Sequence, residues 1–453
     1  MNILIAGCGK VGRSLAERLT AAGHEVTVMD KSYEALASVT SFIDVMGYQG
    51  DCTSIATQME AGIKKTDLLI AVTDDDEKNM LGCLIARKTG KCHTIARIRS
   101  PQYTDEIQYL KDELGLSMSI NPEMVAAEEI VRLIQIPSAL EVDTFAKGKV
   151  SLVGIEIPEG SVLDGIPMKN MSGKVGAEAL VCVAEHNGEV FIPNGDYILH
   201  SGDKISARLS MVEINSFLNN IGIKAKKIKN VMLAGGGTIC YYLAKRLIDL
   251  RIRVKIIEKS PQRCDELAEL LPKAMIICGD ATDKRLLIQE SVDEMDAVCA
   301  LMHSDEANIL LSLYLNKLDP SIKVITKVHR NSYEDIVNEL PVGNKISTKE
   351  ITSDYIARYV RSMQNSIGSE VEALYRIMDG KVEALELSVG EGFNFTGVEL
   401  KDVPLIDNTL ICSISRHGKI IRPGGRDSLQ RGDSVVVVTT HKNINGINEI
   451  VKG

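Results

Sequence analysis

No apolar run in this 453-residue chain approaches the roughly 18–20 residues that a bilayer-spanning helix needs, so no transmembrane segment is expected. The opening Met1-Asn2-Ile3-Leu4-Ile5-Ala6-Gly7 lacks the charged region and cleavage site of a signal peptide, which predicts a cytosolic chain. The ten cysteines never fall as C-x-x-C, and the eight histidines form no cluster at zinc-ligand spacing; a reduced, metal-free protein is expected. Cys182, Cys278 and Cys299 sit in apolar stretches and read as small buried thiols. Basic residues are also short: 52 Lys and Arg against 61 Asp and Glu leave a net charge of −9, which argues against nucleic acid as a partner. Missing too are the phosphate-loop signature G-x-x-x-x-G-K-[ST], the nucleophile elbow G-x-S-x-G and the zinc motif H-E-x-x-H.

What is present is a folded composition, 45% hydrophobic and 25% charged, long enough for two to four domains at about 150 residues each. The chain repeats itself. Asn2-Ile3-Leu4-Ile5-Ala6-Gly7-Cys8-Gly9 opens like Asn230-Val231-Met232-Leu233-Ala234-Gly235-Gly236-Gly237. Downstream, Asp30 matches Glu258, Gly50-Asp51 matches Gly279-Asp280, Asn79 matches Asn308 and Tyr103 matches Tyr333. Later still, Gly188 to Gly195 and Gly202-Asp203 parallel Gly418 to Gly425 and Gly432-Asp433. Such spacing marks a tandem duplication of a two-part unit.

The two parts differ in period. Val11, Leu15 and Leu19, like Ile239, Leu243 and Leu247, recur every four residues and predict one-sided helices. Runs such as Leu68-Leu69-Ile70-Ala71-Val72 predict buried parallel strands. The expected fold class is α/β: two Rossmann-like doubly wound parallel-sheet lobes over 1–120 and 228–348, each followed by a small α+β lobe over 141–225 and 370–453. Helical bridges are expected from Pro122 to Gln135 and from Lys349 to Met363; one face of the first (Met124, Ala127, Val131, Ile134) suits either subunit contact or core packing. Lys224-Ala225-Lys226-Lys227-Ile228-Lys229 reads as a solvated linker, with an anionic partner as the other option.

Gly7-x-Gly9-x-x-Gly12 follows an apolar strand, opens an amphipathic helix, and has Asp30 ending the next strand. In that context the glycines serve a tight turn, close approach of backbone N–H groups to a pyrophosphate, and helix-on-strand packing. The helix N-terminus favours the anion, and Asp30 suits ribose hydroxyls while repelling a 2′-phosphate, so NAD(H) is favoured over NADP(H). Candidate ligand residues in the first half are Gly7, Cys8, Gly9, Lys10, Val11, Gly12, Asp30, Asp51, Thr73, Asp74 and Arg97. In the second they are Gly235, Gly236, Gly237, Thr238, Ile239, Glu258, Asp280 and Lys327. Arg97 suits a phosphate or a surface ion pair, and Asp51 and Asp280 suit a ligand or their own turns. Cys240 stands where a third glycine would, which requires a wider helix-to-strand spacing; a nucleotide is still expected there, NAD or, with a better fit, an adenine mononucleotide, and a degenerate site kept for packing is the alternative. No catalytic acid–base pair repeats in both halves, so no catalytic residue is assigned and a sensor is expected.

Ile5-Ala6-Gly7-Cys8-Gly9-Lys10-Val11-Gly12, Val72-Thr73-Asp74-Asp75-Asp76-Glu77-Lys78-Asn79-Met80 and Ile95-Ala96-Arg97-Ile98-Arg99-Ser100-Pro101 resemble the peripheral subunit family of Trk-type potassium uptake, TrkA, with tandem RCK modules. The resemblance implies a regulatory gating subunit, not an enzyme, that binds NAD(H) and ATP or ADP. It also implies a homo-oligomeric ring at the inner face of the membrane beneath a potassium-translocating partner of TrkH type. An NAD-dependent oxidoreductase and an RCK subunit of another cation channel or antiporter are the competing readings.

Overall fold

The computed structural model describes residues 1–452 except 105, 137–139, 146–148, 172–174, 176–178, 211–212, 224–226, 329–339, 366–370, 379, 443 and 445. Tyr333 and the linker residues Lys224, Ala225 and Lys226 therefore lie outside the described residues. No described helix is long and apolar enough to cross a membrane.

The first sheet contains β1 (Asn2–Ala6), β2 (Glu25–Asp30), β3 (Met46–Gln49), β4 (Leu68–Ala71), β5 (His93–Arg97) and β6 (Met118–Ile120), ordered β3-β2-β1-β4-β5-β6. Every pairing in it is parallel. Ile3 to Ala6 and Leu68 to Ala71 are buried throughout, as the continuous apolar runs required for strands covered on both faces. The chain then forms an antiparallel sheet from β7 (Glu141–Phe145), β8 (Val150–Glu156), β9 (Leu180–His186), β10 (Glu189–Phe191) and β11 (Lys204–Leu209), ordered β10-β9-β11-β8-β7.

The second half repeats both sheets. Strands β12 (Asn230–Ala234), β13 (Arg253–Glu258), β14 (Met275–Cys278), β15 (Ala297–Ala300), β16 (Lys323–Lys327) and β17 (Asn344–Ile346) are again all parallel, in the order β14-β13-β12-β15-β16-β17. Strands β18 (Val371–Ile377), β19 (Val382–Ser388), β20 (Thr409–Arg416), β21 (Lys419–Ile421) and β22 (Ser434–Thr439) form the second antiparallel sheet, β18-β19-β22-β20-β21. The identical strand orders confirm the duplication. One expectation fails: Cys278 is exposed, because it ends an edge strand, whereas Cys182 and Cys299 are buried as expected.

By packing, like joins like. One compact unit holds residues 1–131 and 229–357, the two parallel-sheet lobes; the other holds 132–228 and 358–453, the two antiparallel lobes. In the first unit the halves exchange matching contacts. Arg18 pairs with Asp354, and Arg246 with Glu128 at 3.5 Å. Asn121 Nδ2 donates to the Tyr242 hydroxyl at 2.9 Å, which donates to the Arg99 carbonyl at 3.2 Å. Ala127, Val131 and Ile134 are buried within the chain and only Met124 of that bridge face is exposed, so packing within the chain already occupies most of it.

In the second unit the two sheets share a core, with Val150, Leu152 and Val183 meeting Val382, Ala384 and Val436. Val153 and Ile155, alternating with Val150 and Leu152, face a separate core of the first lobe, as the two-residue period of a strand dictates.

Candidate nucleotide site

The strand order reverses between β1 and β4, and the crevice beyond their carboxyl ends is where a doubly wound sheet can take a ligand. A cavity of about 450 Å³ lies there, within the usual range for small-molecule sites. Gly7, Gly9, Lys10, Val11, Asp30, Asp51, Thr73, Asp74 and Arg97 all line it. Cys8 and Gly12, both expected to contact the ligand, instead stand behind the lining. Cys8 is buried and donates its backbone N–H to Asp30 Oδ2 at 2.7 Å. Burial and the neighbouring Asp30 charge push its thiol up to about 12, so it stays protonated.

The glycine turn has local causes. Gly7 adopts φ +106°, and a Cβ there would lie 2.8 Å from Thr73 N. A Cβ on Gly12 would lie 1.8 Å from the Gly7 carbonyl oxygen, so only glycine lets the helix Lys10–Ala21 come this close. Gly9 caps that helix with no described side-chain bond. Its neighbours behave differently: Ser32, Ser54 and Asp75 each cap their helices through a side-chain oxygen. The uncapped N-terminus leaves backbone N–H donors directed at the cavity, an arrangement suited to an anion.

The loop after β4 is pinned by Asn79, which is fully buried. Its Oδ1 accepts from Thr73 N at 2.9 Å and Thr73 Oγ1 at 2.7 Å, while Nδ2 donates to the carbonyls of Thr73 at 3.2 Å and Arg97 at 2.9 Å. Asn79→Ala is expected to cost about 2–4 kcal/mol, since several buried polar groups lose their partner at once; urea unfolding measures it. Arg97 donates to the Thr73 carbonyl and forms no ion pair among the described residues. Burial, then the nearby Arg99, lowers its pKa. Asp51 accepts from Thr53 N and Oγ1 at 2.9 and 2.7 Å, so it both closes its own turn and lines the cavity.

The second half repeats the framework with different fittings. Gly235 again has positive φ, Gly237 is the helix cap, and Thr238 and the buried Ile239 open the helix. Asn308 pins Met302 and the Lys327 carbonyl as Asn79 pins Thr73 and Arg97. Glu258 accepts from Gly236 N at 2.6 Å and Ser260 N at 2.7 Å, as Asp30 does from Cys8 and Ser32. Cys240 is fully buried where Gly12 stands in the first copy, so the second helix is necessarily set further from its turn.

Other second-half candidates are engaged by protein groups. Lys327 is buried and donates to the Leu301 carbonyl at 2.9 Å; burial lowers its pKa. Asp280 bonds Lys259 at 2.9 Å and Thr282, which hold its pKa down at about 2. Arg263, following the cap Ser260 as cavity-lining Ala35 follows Ser32, donates to the Gly236 carbonyl at 2.8 Å. A guanidinium thus occupies space that alanine leaves open in the first copy.

Among the cavity residues that sequence reasoning missed are Lys31, Lys78, Thr348 and Lys349. Lys31 and Lys78 adjoin residues it did select, and a count of basic side chains near them would have found both. Thr348 and Lys349 come from the other half of the chain and carry no local signal.

Residues 3–122 and again 231–348 match the TrkA-N domain family, and residues 384–452 match the TrkA-C domain family. The Trk system potassium uptake protein TrkA homolog of Archaeoglobus fulgidus is 32% identical over 452 residues, spanning 100% of both chains. The chain belongs to the TrkA family. A further relative, the Trk system potassium uptake protein TrkA of Vibrio alginolyticus, is 30% identical over 98% of this chain and 96% of its own. The TrkA-family chain shares its fold with the GsuK RCK domain, at 15% identity over 98% of this chain and 93% of that one, TM-score 0.62. A GsuK channel bound to NAD has the same identity and TM-score and is covered over 77% of its length.

Proposed function

We propose that the chain is a nucleotide-binding regulatory subunit of a Trk-type potassium-uptake system. NAD(H) or an adenine nucleotide would occupy the first crevice and act on a membrane-embedded, TrkH-type translocating partner. Several copies would form a ring at the inner face of the membrane, built from the four lobes at 1–120, 141–225, 228–348 and 370–453. The names of its relatives and the NAD-bound GsuK channel of the same fold support this reading.

The observation that carries it is the joint construction of the crevice. Residues of the first glycine turn and Thr348–Lys349 of the second half line one cavity. A ligand there touches both parallel-sheet lobes, so its occupancy favours one packing of them over another. Moving a two-state gate from 1:99 to 99:1 takes about 5.5 kcal/mol, which several sites could share at roughly 1–2 kcal/mol each.

In this reading Gly7, Gly9, Lys10 and Val11 cradle phosphate, Asp30 receives the ribose, and Thr73, Asp74, Arg97 and Asp51 complete the wall. Gly235 to Ile239 with Glu258, Asp280 and Lys327 form a second, weaker site. Position explains the ranking. Lys349 is the second residue of its bridge helix, where the first half has Glu123, and Glu123 acts electrostatically on Lys327. The first crevice therefore gains a base, and the second faces an acid.

The test is calorimetric titration of NAD⁺, NADH, ATP and ADP into the full chain and into Lys349→Glu. Binding without NADH consumption is expected, weakened on the order of tenfold in the variant at low salt and less at high salt. Steady NADH oxidation, or no binding of any of the four below millimolar, would overturn the reading.

A further inference from the structure

The first antiparallel lobe gathers three side chains that the crevice does not use. His186 ends β9, and His200 and Asp203 flank the turn before β11. His186 Nδ1 lies 2.6 Å from Asp203 Oδ1, and His200 Nδ1 lies 4.0 Å from Asp203 Oδ2. The two imidazole centroids are 5.3 Å apart, and one donor atom from each of the three residues falls within 4.8 Å of the others. The carboxylate is 2% exposed, whereas the imidazoles are 42% and 51% exposed, so the cluster is rooted in the lobe and open to solvent on one side. The Tyr197 hydroxyl, at 2.9 Å, and the His200 backbone N–H, at 3.0 Å, fix the direction of the carboxylate.

The second copy shows what the fold alone requires here. Asp433 is equally buried and accepts from the Gln430 backbone N–H at 2.8 Å. Arg416, in the place of His186, holds both carboxylate oxygens at 2.8 Å. One arginine therefore meets the structural need. In the first copy His186 holds one oxygen, and the His200 backbone N–H does what that of Gln430 does. The His200 imidazole is surplus to that arrangement, yet it faces the same carboxylate.

We propose that His186, His200 and Asp203 bind a divalent transition cation of the zinc type. Two imidazole nitrogens and one carboxylate oxygen, with solvent completing the shell, are a donor set that such borderline cations favour. Bonds of about 2.0–2.1 Å in a tetrahedral shell place donors roughly 3.3 Å apart, between the two separations seen here. Rotation of the half-exposed rings supplies the difference. Tyr197 acts as a positioning residue by aiming the carboxylate. The bound ion would tie the β9–β10 hairpin to the turn before β11. This inference is independent of nucleotide binding, and it departs from the metal-free expectation because the spacing of His186, His200 and Asp203 matches no zinc motif, and the fold of the hairpin and the following turn brings them together.

The duplication supplies the control. His186→Arg with His200→Gln installs the second copy's own clasp and is expected to fold, with a metal-free melting temperature close to that of the wild type. Zinc chloride is titrated into chelator-treated full-length chain by calorimetry, with cobalt chloride as a spectroscopic probe of ligand geometry. The wild type is expected to bind one more equivalent per chain than the double variant, or to bind it at least about a hundredfold more tightly. His200→Gln alone is expected to lose most of that difference. Equal binding by wild type and double variant, or no saturable binding below millimolar zinc, would overturn the proposal and leave His186 as a plain substitute for Arg416.

Discussion

Replacing Gly9 with aspartate is expected to abolish nucleotide binding while leaving the ligand-free chain at least as stable as before. Gly9 has φ −68° and ψ −171°, extended values that any residue adopts, and no described atom lies within 4 Å of a Cβ built there. Aspartate is moreover a favoured N-cap residue, worth roughly a few tenths of a kcal/mol over glycine. The same side chain takes up the backbone N–H donors that the proposed function assigns to phosphate and places a negative charge beside them. At about 4 Å and an effective dielectric constant near 20, like charges repel by about 4 kcal/mol. A loss of at least about a hundredfold in NAD(H) or adenine-nucleotide affinity should follow, read by calorimetry, with an unchanged or raised melting temperature. Retained affinity would show that the uncapped helix end is not where the anion sits.

Gly12→Cys should do the opposite, harming the lobe first. A Cβ at Gly12 would meet the carbonyl oxygen of Gly7 at 1.8 Å and its carbon at 3.0 Å. Both are backbone atoms, so no rotamer change relieves the clash; the helix or the turn must move. We expect a loss of more than about 3 kcal/mol in urea unfolding, at or beyond the upper end of ordinary overpacking, accompanied by weakened ligand binding because the turn is displaced. Cys240 occupies the matching position of the second copy and is fully buried there, so the chemistry of cysteine is not at fault. Its replacement by glycine should cost less, near the roughly 1 kcal/mol of a glycine within a helix plus a small cavity. A Gly12→Cys variant within about 1 kcal/mol of wild type would refute the argument from spacing.

Where the sequence reading succeeded, the cause was short-range. Gly7, Gly9 and Asp30 converge because a strand, a turn, a helix and the next strand occupy only 30 residues, and that geometry leaves few alternatives. Cys8 and Gly12 share the motif but not the cavity wall: Cys8 is buried with its N–H on Asp30, and Gly12 faces the Gly7 carbonyl from within the helix. Asp51 and Asp280 looked equivalent in the repeat. The side chain of Lys259, at 2.9 Å from Asp280, distinguishes the second from the first. Asn79 and Asn308 were visible as a repeated pair, but their work as pins required knowing that the ends of β4 and β5, and of β15 and β16, lie side by side.

The order of lobes, the two periods and the location of the glycine turn are properties of neighbouring residues, and the amino-acid string alone determined them. Tertiary structure decided that like lobes pair, that Lys349 reaches the first crevice, and that Arg263 covers the second turn. The physical reason is the range of the contacts. Arg18 and Asp354 stand 336 positions apart, and no local preference encodes which surface will bury which. That choice belongs to the summed burial of apolar faces and the matching of charges across them, and it exists only once the chain has folded.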